Sequence, residues 1–503
     1  MTETLSIIPH RDRIGIKSGR LFINDQWREG ESGARWEHRH PSTNEVLTTI
    51  AIASEIEVDW AVVAARKAFD EGPWPRLFPL DRIAILRRFT ELARAEADNL
   101  TNLQVLDNSN PLSIQNMNYI VNGGTVAAVF DHAIGWIDKL NGETIPTYAD
   151  PGRPMMTMTL REPVGVVAAI IPWNAPLFLL CQKIAPALAA GCTLVIKPSE
   201  HTSLTAIRLV ELMEQAGIPK GVVNLVTGPG NPTGEALIQH PGIDKITFTG
   251  SRMVGQRIMR VAADGIKRVS LELGGKSPLI IFPDAPDVAA AAAGAMGMIS
   301  FGMSGQTCAA MTRMLVHKSV LDTAVEGARS IIPKVVHGDP FDLASTSAPL
   351  ISRRQLERVQ GFVDRACEDG AELIVGGRQT GGAVARGNFF QPTIMFNVNN
   401  DSEVAREEVF GPVMSIIPFD DEEEAIRLAN ENVYGLAAQI ATGDIGRAIR
   451  VSRRIRAGTV SVNAGMLAPN MPFGGFKESG LGREGGAEGI SAFLETKTIN
   501  LAG

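Results

Sequence analysis

Five short apolar runs, each followed by a polar or glycine-containing loop, dominate the middle of this sequence. They are Val164–Ile171, Thr193–Ile196, Val222–Val226, Ile246–Thr249 and Val269–Leu271. Segments long enough for crossover helices separate them, as is typical of parallel strands buried on both faces. Ligands of such sheets bind beyond the carboxyl ends of the strands. We therefore expect a doubly wound α/β sheet whose polar loops form a binding site.

The alternation of strand-like and helical segments begins again after the fifth run. An apolar run at 278–282 precedes an alanine-rich helical segment at 289–293 and a strand-like run at 314–317. Apolar residues at 156–160 alternate with threonines, which predicts an antiparallel strand at a sheet edge. The last strand-like segment is TKTINL at 496–501. These patterns predict a second α/β unit and additional β structure.

Composition and charge narrow the class of protein. The 503 residues suffice for about three domains, and 45% of them are hydrophobic. The 55 acidic and 48 basic side chains give a net charge of −7 without a basic stripe, so no nucleic-acid partner is expected. Four cysteines are too few for a disulfide framework and indicate a reducing compartment.

One apolar stretch, 164–181, has the length of a membrane span. Because Pro172, Asn174 and Pro176 interrupt it, we interpret it as a buried strand followed by a loop. The start of the sequence shows no secretory signal pattern. We therefore expect a cytoplasmic protein without a membrane partner.

The eight histidines and four cysteines show no spacing typical of metal ligands. Neither H-E-x-x-H nor C-x-x-C occurs, so the sequence predicts no metal site. The G-x-S-x-G and G-K-[ST] motifs of other enzyme classes are also missing from the sequence.

Two glycine-containing loops follow predicted strands. Residues 228–234 give the spacing G-x-G-x-x-x-G, one residue longer than the dinucleotide fingerprint. Residues 250–255, GSRMVG, open a helix whose first amides could face a pyrophosphate. Taken alone, each loop is more simply interpreted as a tight turn. Lys197 and Glu200, beyond another strand, favour a nucleotide because a cation and an acid suit ribose hydroxyls.

Three residues are candidates for chemistry. Cys308 follows a predicted helix, a position that can stabilise a thiolate, although a lone cysteine is by default a small buried apolar residue. Glu272 ends a strand and is either a surface acid or a general base, the surface interpretation being favoured without further context. Asn174 lies in a loop stiffened by prolines and is either a turn residue or a donor to a developing oxyanion.

Taken together, these segments resemble the aldehyde dehydrogenase superfamily, in its non-acylating, NAD(P)-dependent branch. The resemblance extends from residue 21 to the terminal strand. Seven motifs occur in the order typical of that family: PWNAP (172–176), KPSE (197–200), FTGS (248–251), LELGGKSP (271–278), GQTC (305–308), EEVFGPV (407–413) and PFGGFKESGLGRE (472–484).

The resemblance implies a Rossmann-like parallel-sheet cofactor domain, a second α/β catalytic domain and a small β oligomerisation arm. The NAD(P)-binding domain would comprise 1–141 and 163–275, and the catalytic domain 276–485. Residues 142–162 and 486–503 would form the arm. An exposed edge strand in the arm should pair with another subunit, so we expect a homodimer or a homotetramer.

The resemblance also implies roles for individual residues. Cys308 would be the nucleophile, Glu272 the general base, and Asn174 an oxyanion donor together with the Cys308 amide. Lys183 and Glu484 match positions implicated in proton relay. The cofactor would contact Ile171, Trp173, Lys197, Ser199, Glu200, Gly230, Gly234, Phe248, Ser251, Val254, Leu273, Glu408 and Phe410.

The implied reaction oxidises an aldehyde to the carboxylic acid. Cys308 would form a thiohemiacetal and, after hydride transfer, a thioester that Glu272 hydrolyses with water. Coenzyme-A-acylating relatives commonly lack this glutamate, which favours hydrolysis. Since the Glu200 carboxylate should repel a 2′-phosphate, NAD is expected, although Lys197 leaves NADP possible.

Smaller residues replace bulky ones along the implied substrate tunnel. Ala175, Gln182 and Gly302 stand where many relatives carry larger side chains. The segment 464–471 lacks the aromatic residues that cage quaternary ammonium groups. We expect a roomy entrance and a bulky apolar aldehyde, aliphatic or aromatic, rather than betaine aldehyde or a small semialdehyde. The tunnel would be lined by Ala175, Gln182, Gly302, Met303, Met466 and Phe473, with Met471 near its mouth.

Two other functions use the same residues differently. A cofactor-independent cysteine thioester or ester hydrolase would keep Cys308 and Glu272 but would not need the loops around Lys197 and Glu408. A non-catalytic structural or binding protein would need neither Cys308 nor Glu272. Formation of NADH separates the first alternative from a dehydrogenase, and any turnover excludes the second.

Overall fold

The strands of this chain form two large sheets and two small ones. The computed structural model describes residues 5–117, 121–146, 155–465 and 468–502. Its strands are β1 (Leu21–Phe22), β2 (Trp27–Arg28), β3 (Arg35–Arg39), β4 (Val46–Ala51), β5 (Thr144–Ile145), β6 (Met155–Pro163), β7 (Val166–Ile170), β8 (Thr193–Lys197), β9 (Val223–Leu225), β10 (Lys245–Thr249), β11 (Arg268–Glu272), β12 (Pro278–Ile281), β13 (Arg313–His317), β14 (Glu372–Val375), β15 (Thr393–Phe396), β16 (Val413–Phe419), β17 (Ala437–Ala441), β18 (Thr459–Val462), β19 (Gly480–Leu481) and β20 (Leu494–Ala502).

Helices cover both faces of the large sheets. They are α1 (Ile8–Ile14), α2 (Glu55–Asp70), α3 (Pro79–Ala95), α4 (Ala97–Asn108), α5 (Leu112–Met117), α6 (Gly124–Ile134), α7 (Pro176–Ala190), α8 (Leu204–Gln215), α9 (Glu235–Gln239), α10 (Arg252–Gly265), α11 (Val288–Ser300), α12 (Leu321–Arg329), α13 (Arg353–Glu368), α14 (Glu403–Arg406), α15 (Glu422–Asn430), α16 (Ile445–Ser452) and α17 (Gly486–Ser491).

The five central apolar runs form adjacent strands, as predicted. The first large sheet has the order β19-β11-β10-β7-β8-β9-β1-β2, and β11, β10, β7, β8 and β9 run parallel. Along β7, Val167 and Ala169 pack against one helical layer and Val166 and Ala168 against the other. Because both of its faces are covered, β7 is uniformly apolar rather than alternating.

The second large sheet confirms the second α/β unit. Its order is β14-β15-β16-β13-β12-β17-β18, and every pair is parallel except β14 with β15. In β12, Ile280 packs with α13, while Leu279 and Ile281 pack with α11. The alanine-rich segment at 289–293 lies in α11, as predicted.

A three-stranded antiparallel sheet has the order β20-β6-β5. The segment 496–501 lies in β20, as its composition predicts. The expected sheet edge at 156–160 is wrong, because β6 lies between β20 and the two-residue β5. Another small sheet pairs β3 with β4.

The apolar stretch 164–181 divides in the way that its prolines predict. Residues 166–170 form β7, residues 171–175 form a loop, and Pro176 begins α7. Proline suits the first turn of a helix because the amide there needs no partner within the helix. Among the described residues, no helix combines the length and the apolar character needed to cross a membrane.

Candidate active site

The carboxyl ends of β7, β10 and β11 border a cavity of about 190 Å³. Its lining combines loops of the first sheet with loops that lead into the second. The lining residues are Pro172, Trp173, Asn174, Thr249, Gly250, Ser251, Leu273, Gly274, Cys308, Gln355, Arg358, Glu408 and Phe410. Seven residues named from the sequence therefore share one cavity: Trp173, Asn174, Ser251, Leu273, Cys308, Glu408 and Phe410.

Cys308 lies on the loop that follows α11, and the side chain of Gln306 fixes this loop. Gln306 Nε2 donates to Met303 O at 2.8 Å and to Pro349 O at 3.1 Å, and Gln306 Oε1 accepts from Ile351 N at 2.9 Å. These bonds place Cys308 in the cavity wall. The thiol is thus held by its loop and does not depend on a ligand for its position.

The surroundings of Cys308 do not stabilise a thiolate, contrary to the expectation from the nearby helix. Burial, and after it the negative charges of Glu408 and Glu272, raises the pKa of the Cys308 thiol to about 12. The sequence showed a helix nearby but not the two carboxylates that converge on the sulfur. These surroundings favour the protonated thiol over the thiolate.

Asn174 is oriented by two hydrogen bonds. Its Nδ2 donates to Gln306 O at 2.9 Å, and its backbone carbonyl accepts from Asn108 Nδ2 at 2.9 Å. An amide nitrogen carries two hydrogens, so one remains for a group in the cavity. Asn174 and Cys308 both line the cavity, which is the arrangement that an oxyanion donor requires.

Glu272 is the last residue of β11 and is only 3% exposed, so the surface interpretation is wrong. Within the described residues its Oε2 has no hydrogen-bond partner. Burial raises the pKa of Glu272 well above its ordinary value, and the charge of Glu484 adds to this effect. A Cβ on Gly474 would lie 2.7 Å from Glu272 Oε1, so glycine leaves room for the carboxyl group.

Lys183 and Glu484 form a buried ion pair next to Glu272. Lys183 lies on α7 with no exposed side-chain surface, and the Glu484 side chain is 8% exposed. Backbone hydrogen bonds of 2.7 Å in both directions join Glu484 to Phe473. The charges of Lys183 and Glu484 both affect Glu272, so the structure brings together the three residues named for base catalysis and proton relay.

Several other residues named for the cofactor follow β8 and β9. Lys197 ends β8, is 4% exposed, and donates from Nζ to Pro198 O at 3.2 Å. Ser199 donates from Oγ to Glu200 at 3.5 Å. Gly234 lies against Lys197, since a Cβ there would be 3.4 Å from Lys197 Cε, and Gly230 has open space around it.

Helix α10 begins at the cavity wall, directly after Ser251. Ser251 caps it, because Ser251 Oγ accepts a hydrogen bond from Val254 N at 3.5 Å. Leu273 packs closely beneath the helix, and a Cβ on Gly255 would lie 2.6 Å from Leu273 Cδ2. The ring of the buried Phe248 lies against Gly250. The amide of Ile171 donates a hydrogen bond to Lys197 O at 3.0 Å. Gly250 and Ser251 line the cavity, so the first turn of α10 begins at the cavity wall.

Glu408 and Phe410 close the other side of the cavity. Glu408 Oε1 accepts from Gly275 N at 3.1 Å, and burial raises the pKa of Glu408 to about 7. Phe410 meets Trp173 edge to face, with ring centroids 5.1 Å apart. A Cβ on Gly274 would lie 2.5 Å from Glu408 Oε2, so this glycine permits the approach.

The residues named for the substrate tunnel are dispersed. Ala175 is buried at the start of α7, Met303 is partly buried, and Phe473 pairs with Glu484. Gln182 lines a second, smaller cavity with Trp136 and Gly489. Met466 lies outside the described residues.

Gly302 does not leave the opening that its small size suggests. It has φ +62°, and a Cβ there would lie 3.1 Å from Ile114 Cγ2 and 3.4 Å from Asn110 Oδ1. Ile114 and Asn110 thus lie against the space that a larger residue would fill. Met471 is 44% exposed and lies at the surface.

Sequence reasoning missed two residues of the cavity wall, Gln355 and Arg358. Both lie on α13, and Gln355 Nε2 donates to Phe410 O at 2.9 Å while Arg358 Nη2 donates to Glu408 O at 2.7 Å. On a strongly amphipathic helix, such residues look like part of a solvated face. Only the folded structure shows that both side chains line the cavity.

Comparisons with known proteins agree with this geometry. The model of the aldehyde dehydrogenase family matches residues 27–499. Aldehyde dehydrogenase 1 of Tanacetum cinerariifolium is 43% identical, over 96% of this chain and 95% of its own length.

Two solved structures have the same fold. Betaine aldehyde dehydrogenase of Staphylococcus aureus in complex with NAD⁺ is 35% identical, with a TM-score of 0.94 over 98% of this chain and 96% of the other. The NAD⁺ complex of aldehyde dehydrogenase from Bacillus cereus is 36% identical, with a TM-score of 0.93 over 99% of each chain. This chain belongs to the aldehyde dehydrogenase family.

Proposed function

We propose that this protein oxidises an aldehyde to the carboxylic acid with NAD, by way of a covalent intermediate on Cys308. The observation that carries this proposal is the convergence of groups at one cavity. Cys308 and Asn174 share its wall with Ser251, Glu408 and Phe410. The buried Glu272, whose charge affects Cys308, supplies the base.

The residues present fit a dinucleotide. The start of α10 at Ser251 suits a pyrophosphate, because the first amides of a helix have no backbone partners within it. Lys197 is buried, and among the described residues its Nζ donates to one carbonyl, Pro198 O. The charge of Glu200 acts on Lys197, and this carboxylate would accept from ribose hydroxyls. Glu408 and Phe410 would hold the reacting end near Cys308. The NAD⁺ complexes of two relatives support this assignment.

In the first stage of the reaction, Cys308 binds the aldehyde covalently and Asn174 positions its oxygen. The Cys308 thiol passes its proton to water and its sulfur attacks the aldehyde carbon, which gives a thiohemiacetal. Asn174 Nδ2 and the Cys308 amide donate to the oxygen that gains negative charge. Bound NAD supplies the acceptor for the hydride that leaves this carbon, so that a thioester remains on Cys308.

Glu272 performs the second stage. Its carboxylate takes a proton from a water molecule, the resulting hydroxide attacks the thioester, and the carbon–sulfur bond breaks. The acid leaves and Cys308 regains its thiol proton. We assign to Lys183 and Glu484 the removal of the proton that Glu272 collects, since this buried ion pair lies in the surroundings that shift the pKa of Glu272.

The same proposal includes the division of the chain. Residues 1–141 and 163–275 would bind the cofactor, 276–485 would carry the nucleophile, and 142–162 with 486–503 would form an arm between subunits. Support for the arm comes from the three-stranded sheet of β20, β6 and β5. A homodimer or homotetramer is the expected assembly.

The proposed substrate is a bulky apolar aldehyde. The buried Ala175 at the start of α7 and the partly buried Met303 are apolar, which supports an apolar substrate. We expect reduction of NAD by a panel of aliphatic and aromatic aldehydes, with higher kcat/KM for bulky members. The measurement is the absorbance of reduced nicotinamide, with NAD and NADP in parallel. The highest kcat/KM for betaine aldehyde would contradict the substrate class, and reduction by none of the aldehydes would contradict the proposed function.

Glu200→Gln should improve the relative use of NADP. The substitution removes a charge that repels a 2′-phosphate, while Lys197 remains to attract it. We expect the ratio of kcat/KM for NAD to that for NADP to fall about tenfold, the effect of one charge–charge repulsion near the surface. Glu211→Gln, which removes a carboxylate from the neighbouring helix α8, is the control. An unchanged coenzyme ratio would contradict the role of Glu200.

A further inference from the structure

The loop that carries Glu408 and Phe410 is fastened on one side by helix α13. Gln355 Nε2 donates to Val409 O at 3.2 Å and to Phe410 O at 2.9 Å, and Arg358 Nη2 donates to Glu408 O at 2.7 Å. Phe410 has φ +57°, a conformation that side chains other than glycine adopt at a cost. The loop therefore depends on outside contacts for its shape.

On the other side, the loop meets one arginine. Arg252 Nη2 lies 3.3 Å from Glu407 Oε1, and Arg252 Nη1 lies 3.1 Å from Glu478 Oε2. The guanidinium also lies over the ring of Tyr434, 5.5 Å from its centroid, and Tyr434 Oη donates to Glu407 Oε2 at 3.5 Å. One cation thus joins segments that are distant in sequence.

The ion pair between Arg252 and Glu407 connects two segments that line the cavity. Arg252 is the first residue of α10 and follows Ser251, whereas Glu407 precedes Glu408. Ser251 and Glu408 both line the cavity. The helix belongs to the first large sheet, and the loop leads into β16 of the second. An ion pair between the two neighbours holds the opposite walls at a fixed separation.

We propose that Arg252 is a positioning residue that clamps the 407–410 loop to the start of α10 and thereby sets how tightly the bound dinucleotide is held. The proposal rests on the proposed function, since it assigns both walls to NAD. Arg252 itself does not line the cavity among the described residues. Its effect passes through Glu407 to Glu408 and Phe410.

The ionic nature of the clamp gives it a measurable signature. The side chains of Arg252, Glu407 and Glu478 are 29%, 38% and 47% exposed. Ion pairs in this range of exposure are weakened by salt. Increasing ionic strength should therefore loosen the loop in the natural protein and have less effect once the arginine is gone.

The test compares Arg252→Gln and Arg252→Lys with the natural protein. NAD itself is the probe, titrated by the quenching of tryptophan fluorescence, and release of NADH is followed by stopped flow. For Arg252→Gln we expect the Kd for NAD and the rate of NADH release to rise about threefold to tenfold, the effect of one or two exposed ion pairs. Arg252→Lys should recover part of this change.

A matched control separates the clamp from a general loss of stability. Arg450→Gln breaks a bidentate ion pair with Glu422, between α16 and α15 and away from the cavity. It should leave the Kd for NAD unchanged even where its effect on Tm equals that of Arg252→Gln. In a double-mutant cycle, Glu407→Gln should add little to Arg252→Gln, because the two residues act as one unit.

The outcomes distinguish this proposal from the function on which it rests. If the natural protein binds NAD but Arg252→Gln binds it equally tightly, the clamp is overturned and the proposed function stands. An increase in Kd that Arg252→Lys does not recover, and that salt does not reproduce, would also overturn it. If the natural protein binds no NAD, the proposed function itself fails.

Discussion

Cys308→Ala should abolish aldehyde oxidation, with kcat/KM reduced by at least about 10³-fold, because the covalent route then has no nucleophile. The substitution should slow the reaction without weakening the binding of NAD. Cys308 is one of several groups in the cavity wall, and Ser251, Glu408 and Phe410 remain in place. We therefore expect Cys308→Ala to bind NAD with nearly the natural Kd. Formation of NADH by stopped-flow absorbance and NAD titration by fluorescence measure the two effects.

The control for this substitution is Cys367→Ala. Cys367 is exposed on α13 and should be dispensable. If Cys308→Ala retained most of the activity, the nucleophile would lie elsewhere. Equal losses in both variants would indicate damage to the fold.

Glu272→Gln should separate the two stages of the reaction. The amide cannot take a proton from water, so hydrolysis of the thioester should slow by about 10²–10⁴-fold. Formation of the thioester should slow less, because Cys308 and Asn174 are unchanged. We expect a rapid burst of about one NADH per active subunit, followed by a very slow phase, with the acyl group trapped on Cys308. Stopped-flow absorbance shows the burst, and mass spectrometry of the quenched protein shows the adduct.

The pH dependence supplies a further readout of Glu272. Its pKa is raised mainly by burial and then by the charge of Glu484. A base with a raised pKa is protonated at low pH and becomes active only as the pH rises through that pKa. Steady-state turnover limited by hydrolysis should therefore increase with pH in the natural protein, and this rise should be lost in Glu272→Gln. A burst-free trace or an unchanged pH profile would contradict the assignment.

The sequence was most informative where burial alone determines structure. The short apolar runs predicted the five parallel strands of the first sheet, because strands covered on both faces are rich in apolar residues. The loops that follow β7, β10 and β11 lie beside the cavity, because the carboxyl ends of parallel strands meet at one edge of the sheet. The run at 156–160 was less informative, since alternation predicts one covered face but not how many neighbours a strand has.

The chemistry of the site depended on contacts that a linear pattern does not contain. Glu272 was favoured as a surface acid until the resemblance was considered, because nothing near it in sequence shows that Gly474 and Glu484 surround it. The same limit applies to Cys308, whose nearby helix suggested a stabilised thiolate. Burial of the thiol reverses this expectation, and the charges of Glu408 and Glu272 add to the effect through space. Gln355 and Arg358 left no sequence signal at all.

The pairing of β19 with β11 has a consequence for the order in which the protein matures. Gly480 and Leu481 pair with Glu272 and Leu271, and Glu484 binds Lys183 just beyond. During synthesis on the ribosome, Cys308 emerges long before this segment. The surroundings of the base are thus completed only after the late segment returns to the first sheet. A partly synthesised chain that ends before Gly480 therefore contains Cys308 but lacks the segment that surrounds Glu272.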